Sequence, residues 1–290
     1  MAMHAHQRLF EDVCAHARRT AVLASVESLL GWDEQTMMPP RAAAHRAAQV
    51  EAVATMVHGH RCDPAYGERL SALAAGPLAR EGSPQDRAAI RLLARDFDKH
   101  VRVPARLVGA LAKTCVEAQQ AWVNARAESS WRMLEPWLQQ IFDLKRELAA
   151  CQMPDADPYD ALLDDYEPGA HWRAIAGEFD RLRDEIVPLM QACAGSKRRP
   201  DDTILRRSFP VLDQQRFVRE VASSIGFDFQ RGRLDTAAHP FCSGMGPHDC
   251  RITTRWDEHA LATSLYGVLH EAGHGLYEQG LPAEWYGLPP

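Results

Sequence analysis

The sequence contains the pattern His-Glu-x-x-His at His270, Glu271 and His274. On a helix these two histidines lie one turn apart on the same face, about 6 Å apart along the axis, so both imidazoles can bind one zinc ion. Glu271 is rotated by about 100° from His270, where a carboxylate can act as a general base on water beside the metal. The pattern predicts metal-assisted hydrolysis, with His270 and His274 as metal ligands and Glu271 as the catalytic base.

A catalytic zinc ion normally has three protein ligands and one open position, so a third ligand is required. Glu278 continues the histidine stripe but lies about 12 Å beyond His270 along the axis, too far for the same ion. It is interpreted as a carboxylate outside the ligand set. Glu284 follows the turn at Gly280 and would have to fold back, so it is only a weak candidate.

The metal-binding pattern lies on a segment with the periodicity of an amphipathic helix. Asp257 is expected to cap its first turn, and Gly280 is expected to end it. Glycines within the segment weaken a helix and indicate that a substrate or a neighbouring backbone must come close. The apolar stripe is Leu261, Leu265, Val268, Ala272 and Leu276, and the glycines are Gly267, Gly273 and Gly275.

Alternation of polar and apolar residues over 249–256 predicts a strand before this helix. Asp249, Arg251 and Thr253 share its polar face. Arg251 is expected either to hold a substrate carboxylate, with Asp249 orienting it, or to form a structural ion pair with Asp249 at a sheet edge. The edge of this strand is expected to pair with an extended peptide.

His239 precedes Pro240 and is expected either to reach the substrate or to serve a structural role. Together with Cys242, His248 and Cys250 it also suggests a second zinc site. That alternative is weak, because the spacing of the four residues matches no common zinc pattern.

Composition excludes several classes of protein. The 290 residues carry 33 Lys and Arg against 39 Asp and Glu, a net charge of -6, so no nucleic-acid partner is predicted. Seven cysteines without a CxxC pair indicate free thiols in a reducing compartment. No apolar run is long enough to span a bilayer. We therefore predict a soluble, cytoplasmic protein that does not associate with membranes.

The organisation of the chain predicts one domain over residues 1–290. Residues 1–230 have helical periodicity broken at 38–41, 154–158 and 195–202, and the last break is expected to be an exposed loop. Residues 231–290 contain the strand and the metal-binding helix. One of the apolar stripes in the helical part is Phe179, Leu182, Ile186 and Leu189.

Five segments give the chain a family resemblance along essentially its whole length. It resembles the carboxypeptidase Taq family of zinc metallocarboxypeptidases, in which the segments occur in the same order. They are LLGWDEQTMMPP at 29–40, YDALLDDYEPG at 159–169, HPF at 239–241, DCRIT at 249–253 and LHEAGHGLYEQG at 269–280.

The resemblance implies a mainly α, zincin-like (gluzincin) body with a deep cleft, a wall of which is formed by residues 1–230, and a small β-sheet next to the zinc helix. It implies removal of single residues from peptide C-termini with broad specificity, Zn²⁺ that Co²⁺ can replace, and a homodimer. Arg251 and His239 are then candidates for binding the substrate.

In that family the third zinc ligand is a Glu in an H-E-S type segment that follows His-Glu-x-x-His, and this sequence ends before it. The chain is therefore expected to be the N-terminal portion of such an enzyme, a single domain incomplete at its C-terminus, with weak zinc binding and negligible activity unless it is extended. The competing hypothesis is a catalytically inactive truncated homologue that acts only as a helical dimerising protein.

Overall fold

The structure is a computed structural model that describes residues 2–201 and 203–289. Helices precede a small sheet, and a last long helix follows it. Within the described residues no helix has both the length and the apolar character needed to cross a membrane. The helices are α1 (Ala2–Thr36), α2 (Ala43–Arg61), α3 (Pro64–Ala75), α4 (Leu78–Glu81), α5 (Pro84–Val101), α6 (Ala105–Ala127), α7 (Trp131–Gln152), α8 (Pro158–Leu163), α9 (Trp172–Ala194), α10 (Val211–Ser224) and α11 (Leu261–Gly280); the strands are β1 (Gly232–Thr236), β2 (Cys242–Gly246) and β3 (Asp249–Thr254).

Local signals in the sequence explain where several helices begin. Asp63 precedes Pro64, and its side chain accepts a hydrogen bond from the Ala65 amide at 2.7 Å. Ser83 and Asp86 form a reciprocal capping box at the start of α5. These side chains satisfy amide groups that have no partner within the helix. The mainly helical body with a small sheet, predicted from the sequence, is confirmed.

The helical body has two buried centres. One lies between α1, α3, α4 and α5; the other lies between α2 and α6. Their members are mostly aliphatic and small residues at helical spacing, as in a helix bundle. The fully buried members include Val13, Leu70, Leu73, Ile90 and Ala47.

A cavity of about 620 Å³ lies between α1, α2, α6 and α7, and its lining includes Glu27 and Glu34. Burial raises the pKa of Glu34 to about 7, from an ordinary value of 4.5, although Arg46 acts in the opposite direction. The pKa of Glu27 is also raised, chiefly by burial. This face of α1 therefore holds carboxyl groups that resist ionisation.

Glu34→Gln is expected to stabilise the protein at alkaline pH. A carboxyl group whose pKa is higher in the folded chain than in the unfolded chain contributes fully below pH 4.5 and loses that contribution as the pH rises through 7. Because glutamine cannot ionise, the variant should gain about 1 kcal/mol of unfolding free energy at pH 8, after allowance for solvent access. Urea unfolding of both proteins at pH 5 and pH 8 measures this.

The control is Glu11→Gln, because Glu11 is exposed on the same helix. It should change the unfolding free energy little at either pH. A gain in Glu34→Gln that is equal at pH 5 and pH 8 would contradict ionisation as the cause.

The three strands form one sheet in the order β1, β3, β2, with β3 parallel to β1 and antiparallel to β2. The strand predicted at 249–256 is confirmed but ends at Thr254. The prediction that its edge is free to pair with a peptide is wrong, because β3 is the central strand and both of its edges are occupied. The alternation of residues in β3 did not reveal its two neighbouring strands, so the occupation of both edges could not be predicted.

Both faces of β3 are covered. On one face Cys250 and Ile252 pack with Val268 and Ala272 of α11. On the other face the Arg251 side chain lies against Trp32 of α1. The face predicted to be polar is thus packed against a helix, because its arginine carries a long side chain that can cover an aromatic ring.

Two buried polar residues join α10 to α11. The Ser264 hydroxyl donates to Gln214 Oε1 at 2.5 Å, and Gln214 Nε2 donates to the backbone oxygens of Phe209 and Asp257. The predicted cap at Asp257 is wrong: α11 begins at Leu261, and Asp257 instead accepts from the His259 amide. The end of α11 at Gly280 agrees with the prediction.

Helix α9 has no buried residue. Its apolar stripe, predicted from Phe179, Leu182, Ile186 and Leu189, is exposed, with Phe179 and Leu189 each 64% exposed. The start of α9 is tied to α8, because the Trp172 amide donates to Asp160 Oδ1 at 2.6 Å. The exposed loop predicted at 195–202 is confirmed for residues 195–201, and Asp202 lies outside the described residues.

Candidate metal centre

Helix α11 presents its two histidines to solvent and its glutamate to the interior. Val268 and Ala272 are 1% and 0% exposed in the core formed with the sheet. This packing fixes the rotation of α11 about its axis. As a result His270 and His274 are exposed, whereas Glu271 is 6% exposed.

The side chains of His270, Glu271 and His274 lie close together. The candidate ligand atoms of His270, Glu271 and His274 all lie within 4.8 Å of one another. The imidazole rings are 5.0 Å apart at an interplanar angle of 83°. Two imidazoles and one carboxylate are a donor set that suits zinc. Among the described residues neither imidazole has a hydrogen-bond partner, so the nitrogens are available, and the residues present fit a divalent metal ion.

Of the three glycines that the sequence singled out, Gly267 and Gly275 have close neighbours, but these neighbours are side chains, whereas a substrate or a neighbouring backbone was predicted. A Cβ on Gly275 would lie 2.5 Å from the Phe227 ring, and one on Gly267 would lie 3.2 Å from Thr254 Oγ1. Gly273 has open space around it. Packing against the sheet and its preceding loop therefore explains Gly267 and Gly275, and it holds the helix close to β3.

Arg251 forms an ion pair with Asp249 through two hydrogen bonds, at 2.9 and 2.8 Å. Its guanidinium lies 4.3 Å from the centre of the Trp32 ring, and the side chain is 15% exposed. Both Nε and Nη2 are engaged, so Nη1 is the nitrogen with no hydrogen-bond partner among the described residues. The structural ion pair expected for these residues is present, although on the central strand instead of an edge.

A second arginine, which was not predicted from the sequence, lies beside Arg251. Arg233 of β1 is paired in register with Arg251, is bound by Asp235 through two bonds of 2.6 Å, and lies 4.9 Å from the Trp32 ring. The signal was the alternation Arg233-x-Asp235, which has the same two-residue spacing as Asp249 and Arg251. Trp32 is 6% exposed, and its Nε1 has no hydrogen-bond partner among the described residues.

His239 is exposed and lies against α6, with its ring 6.4 Å from that of Trp122. The loop that carries it is held by Arg126, which donates to the Ala238 oxygen at 2.8 Å. Pro240 lies 3.9 Å from the position of a Cβ on Gly267, one turn before His270. His239 is not among the residues that meet at the metal centre, but its loop packs against the same helix.

The structure does not bring either candidate third ligand to the metal centre. The Glu278 carboxylate lies against Gly244 of β2, where a Cβ would be 2.5 Å from Oε2. Glu284 is exposed, and its backbone oxygen accepts from Arg18. In the part of the chain that is described, His270, Glu271 and His274 form the group of potential ligands.

The alternative of a second zinc site at His239, Cys242, His248 and Cys250 is wrong within the described residues. Cys242 and Cys250 are close, with their sulfurs 3.6 Å apart. The two histidines do not join them in a group of potential ligands. His239 lies beside α6, and His248 lies in the turn between β2 and β3.

Two of the segments that carry the family resemblance have structural roles. Asp164 binds Arg95 and Lys99 of α5 and accepts from the Gly169 amide, which fastens the segment after α8 to the bundle. Asp33 binds Arg46 at 2.6 Å at the end of α1. Trp32, one residue before Asp33, is buried.

The sequence is similar to known carboxypeptidases along most of the chain. A model of the carboxypeptidase Taq (M32) metallopeptidase family matches residues 12–290. Thermostable carboxypeptidase 1 of Thermus thermophilus is 40% identical over 289 residues, which is 97% of this chain and 57% of that protein. Carboxypeptidase 1 of Bacillus subtilis is 27% identical over 281 residues, 97% of this chain and 55% of that protein.

Solved structures share the fold. The M32 carboxypeptidase from Deinococcus radiodurans R1 is similar with a TM-score of 0.82 and 34% identity, over 97% of this chain and 56% of that chain. The crystal structure of BsuCP gives a TM-score of 0.91 and 26% identity, also over 97% and 56%. The chain spans a little over half the length of the relatives that it matches.

Proposed function

Because the chain belongs to the carboxypeptidase Taq (M32) metallopeptidase family, we propose that it serves in the hydrolysis of peptides from the C-terminus, releasing single residues with broad specificity. The observation that carries this proposal is the His270, Glu271 and His274 group on α11. When bound, a zinc ion, for which Co²⁺ can substitute, supplies a Lewis acid that polarises the peptide carbonyl and makes water more acidic.

Each residue of the group has a distinct task in this proposal. His270 and His274 hold the metal through their exposed imidazoles. Glu271 accepts a proton from the attacking water and passes it to the leaving amine. Glu271 is buried, and burial restricts the movement of its carboxylate, which a general base requires.

Arg251 is proposed to hold the carboxylate of the substrate, and His239 is proposed as a second substrate contact. The argument for Arg251 is its free Nη1 on a guanidinium that Asp249 and the Trp32 ring hold still. A positioned guanidinium binds a carboxylate more strongly than a mobile one does, because less conformational freedom is lost. The His239 loop packs on α11 one turn before the metal ligands.

Amidation of the substrate's C-terminus is expected to lower the rate of cleavage by the full-length protein by at least about 10-fold. The amide lacks the negative charge that an arginine would bind, so transition-state stabilisation is lost. The measurement is kcat/KM for a peptide with a free C-terminus and for its amide, with acetylation of the N-terminus as the control that should have little effect.

The variant Arg251→Gln tests whether Arg251 is the residue that binds the substrate carboxylate. In that variant the ratio of the two rates should fall towards one, because the discriminating charge is gone. An unchanged ratio would remove Arg251 from substrate binding, and equal cleavage of both peptides by the wild-type protein would contradict exopeptidase action at the C-terminus.

We further propose that the protein forms a homodimer and is located in the cytoplasm. We propose no nucleic-acid partner. The seven cysteines, all without disulfides, support a reducing compartment. The net charge of -6 argues against binding a polyanion. Light scattering of the purified full-length protein tests the dimer, and a monomeric mass would contradict it.

A further inference from the structure

Two thiols face each other behind the metal helix. Cys242 of β2 and Cys250 of β3 project from the same face of the sheet, and their sulfurs are 3.6 Å apart. Cys250 is 3% exposed and packs with Val268 and Ala272 of α11, whereas Cys242 is half-buried. The pair is thus in contact with the helix that carries the metal ligands, and one of its members reaches solvent.

We propose that Cys242 and Cys250 form an oxidation site, which hydrogen peroxide converts to a reversible disulfide beneath α11. The proposed hydrolysis does not use either thiol. The site is therefore independent of the proposed function, and its test does not depend on catalysis.

The strand register explains why the sulfurs approach. Cys250 lies opposite Gly244, and Cys242 lies opposite Ile252, so the cysteines are diagonal neighbours. Gly244, opposite Cys250, has no side chain of its own, and the Glu278 carboxylate lies over it. A disulfide bond is about 2.05 Å long, so the sulfurs must approach by about 1.5 Å.

The backbone of β2 can supply part of that movement. The pairing of β2 with β3 is irregular between Gly244 and Gly246, where the ladder is interrupted. Irregular and glycine-rich positions in a strand tolerate local shifts better than a continuous ladder does. Closure therefore requires a local adjustment of β2 and leaves β3, with its contacts to α11, in place.

The two thiols differ in their ease of ionisation. Their mutual hydrogen bond, followed by burial, raises the pKa of Cys242, and the negative charges of Glu271 and Glu278 act in the same direction. The same hydrogen bond lowers the pKa of Cys250. Cys250 ionises more readily, whereas Cys242 is the thiol that reaches solvent, and the disulfide forms whichever of the two is oxidised first.

The chemistry balances with peroxide as the oxidant. The thiolate of one cysteine attacks one peroxide oxygen; an S–O bond forms, the O–O bond breaks, and hydroxide leaves and is protonated to water. The sulfur of the other cysteine then attacks the sulfenic acid; the S–S bond forms, the S–O bond breaks, and a second water leaves with the thiol proton. The two sulfurs lose two electrons in total, and peroxide gains them.

Peptide mapping by mass spectrometry can detect the disulfide directly. Trypsin cleaves after Arg233 and Arg251 and has no site between them, so both cysteines lie in the single peptide 234–251. The reduced full-length protein is exposed briefly to a small excess of hydrogen peroxide, unfolded in N-ethylmaleimide, digested and analysed by mass spectrometry. The expected result is a peptide that has lost two hydrogens, carries no maleimide, and takes up two maleimides after dithiothreitol.

The other residues of the chain provide controls. Met245 lies in the same peptide, and its oxidation adds one oxygen, so it is distinguished by mass. Cys14 is buried without a nearby thiol partner in the structure, and its peptide should still take up maleimide. In Cys242→Ser the remaining Cys250 should be oxidised to sulfenic or sulfinic acid instead, with no loss of two hydrogens.

Two results would overturn the proposal. One is full maleimide labelling of both Cys242 and Cys250 at peroxide levels that oxidise the exposed Cys115 and Cys193. The other is conversion of the pair to sulfinic or sulfonic acids with no disulfide at any time point. A conservative second variant, Cys242→Ala, shows whether any change in Cys242→Ser comes from the introduced hydroxyl.

Discussion

Replacement of Glu271 by glutamine is expected to lower peptide hydrolysis by the full-length protein by about 10²-fold or more, with zinc still bound. A carboxamide has nearly the same shape as a carboxylate but cannot accept the proton of the attacking water, and loss of a general base costs about 10²- to 10⁴-fold. Zinc is retained because the two imidazoles, His270 and His274, do not change. The measurements are kcat on a peptide with a free C-terminus and the metal content after dialysis.

Glu278→Gln is the matched control. Glu278 lies on the same helix, is exposed and contacts β2, so its loss should leave kcat within a few-fold of wild type. Unchanged turnover in Glu271→Gln would contradict its role as the base. Loss of zinc from that variant would instead make Glu271 a ligand, which its distance of less than 4.8 Å from the imidazole nitrogens permits.

Removal of either imidazole is expected to abolish tight zinc binding. His270→Ala or His274→Ala leaves one imidazole on α11, and the affinity for zinc should fall by at least about 100-fold, since even the loss of groups that only orient a ligand costs about 10- to 100-fold. Both residues are exposed, so the fold should persist. Competition with a chromophoric zinc chelator measures the affinity, and circular dichroism checks the helix content.

His259→Ala serves as the control for this pair, because His259 is exposed just before α11 and outside the ligand group. It should bind zinc with the wild-type affinity. If His270→Ala and His274→Ala also kept that affinity, the metal would have to bind elsewhere, and the proposed hydrolytic centre on α11 would be wrong.

The grouping of His270, Glu271 and His274 could be predicted from the sequence because its geometry is local. The spacing of His270 and His274 requires only a helix, and the stripe that includes Val268 and Ala272 predicts both the helix and the face that it buries. These relationships hold within one turn or two, so no knowledge of distant parts of the chain was needed. The structure agrees with the predicted stripe and with the end of the helix.

The surroundings of Arg251 could not be predicted in the same way. Its ion pair with Asp249 lies within β3 and was one of the two alternatives, but its contact with Trp32 of α1 and its register with Arg233 of β1 involve residues outside its own strand. The glycine-rich β2, Cys242–Gly246, has no alternation of polar and apolar residues, so the strand that covers one edge of β3 was missed. Pairing across a sheet is a non-local property, and a single strand does not reveal its neighbours.

The exposed helix α9 has a consequence for how the described chain unfolds. A helix with no buried residue gains little free energy from tertiary packing, so its persistence depends mainly on its own sequence, and Pro188 within it removes one of its hydrogen bonds. Elements stabilised in this way open separately from a packed core. The described chain is thus a set of cooperative units of unequal stability, and a single unfolding free energy refers to its core alone.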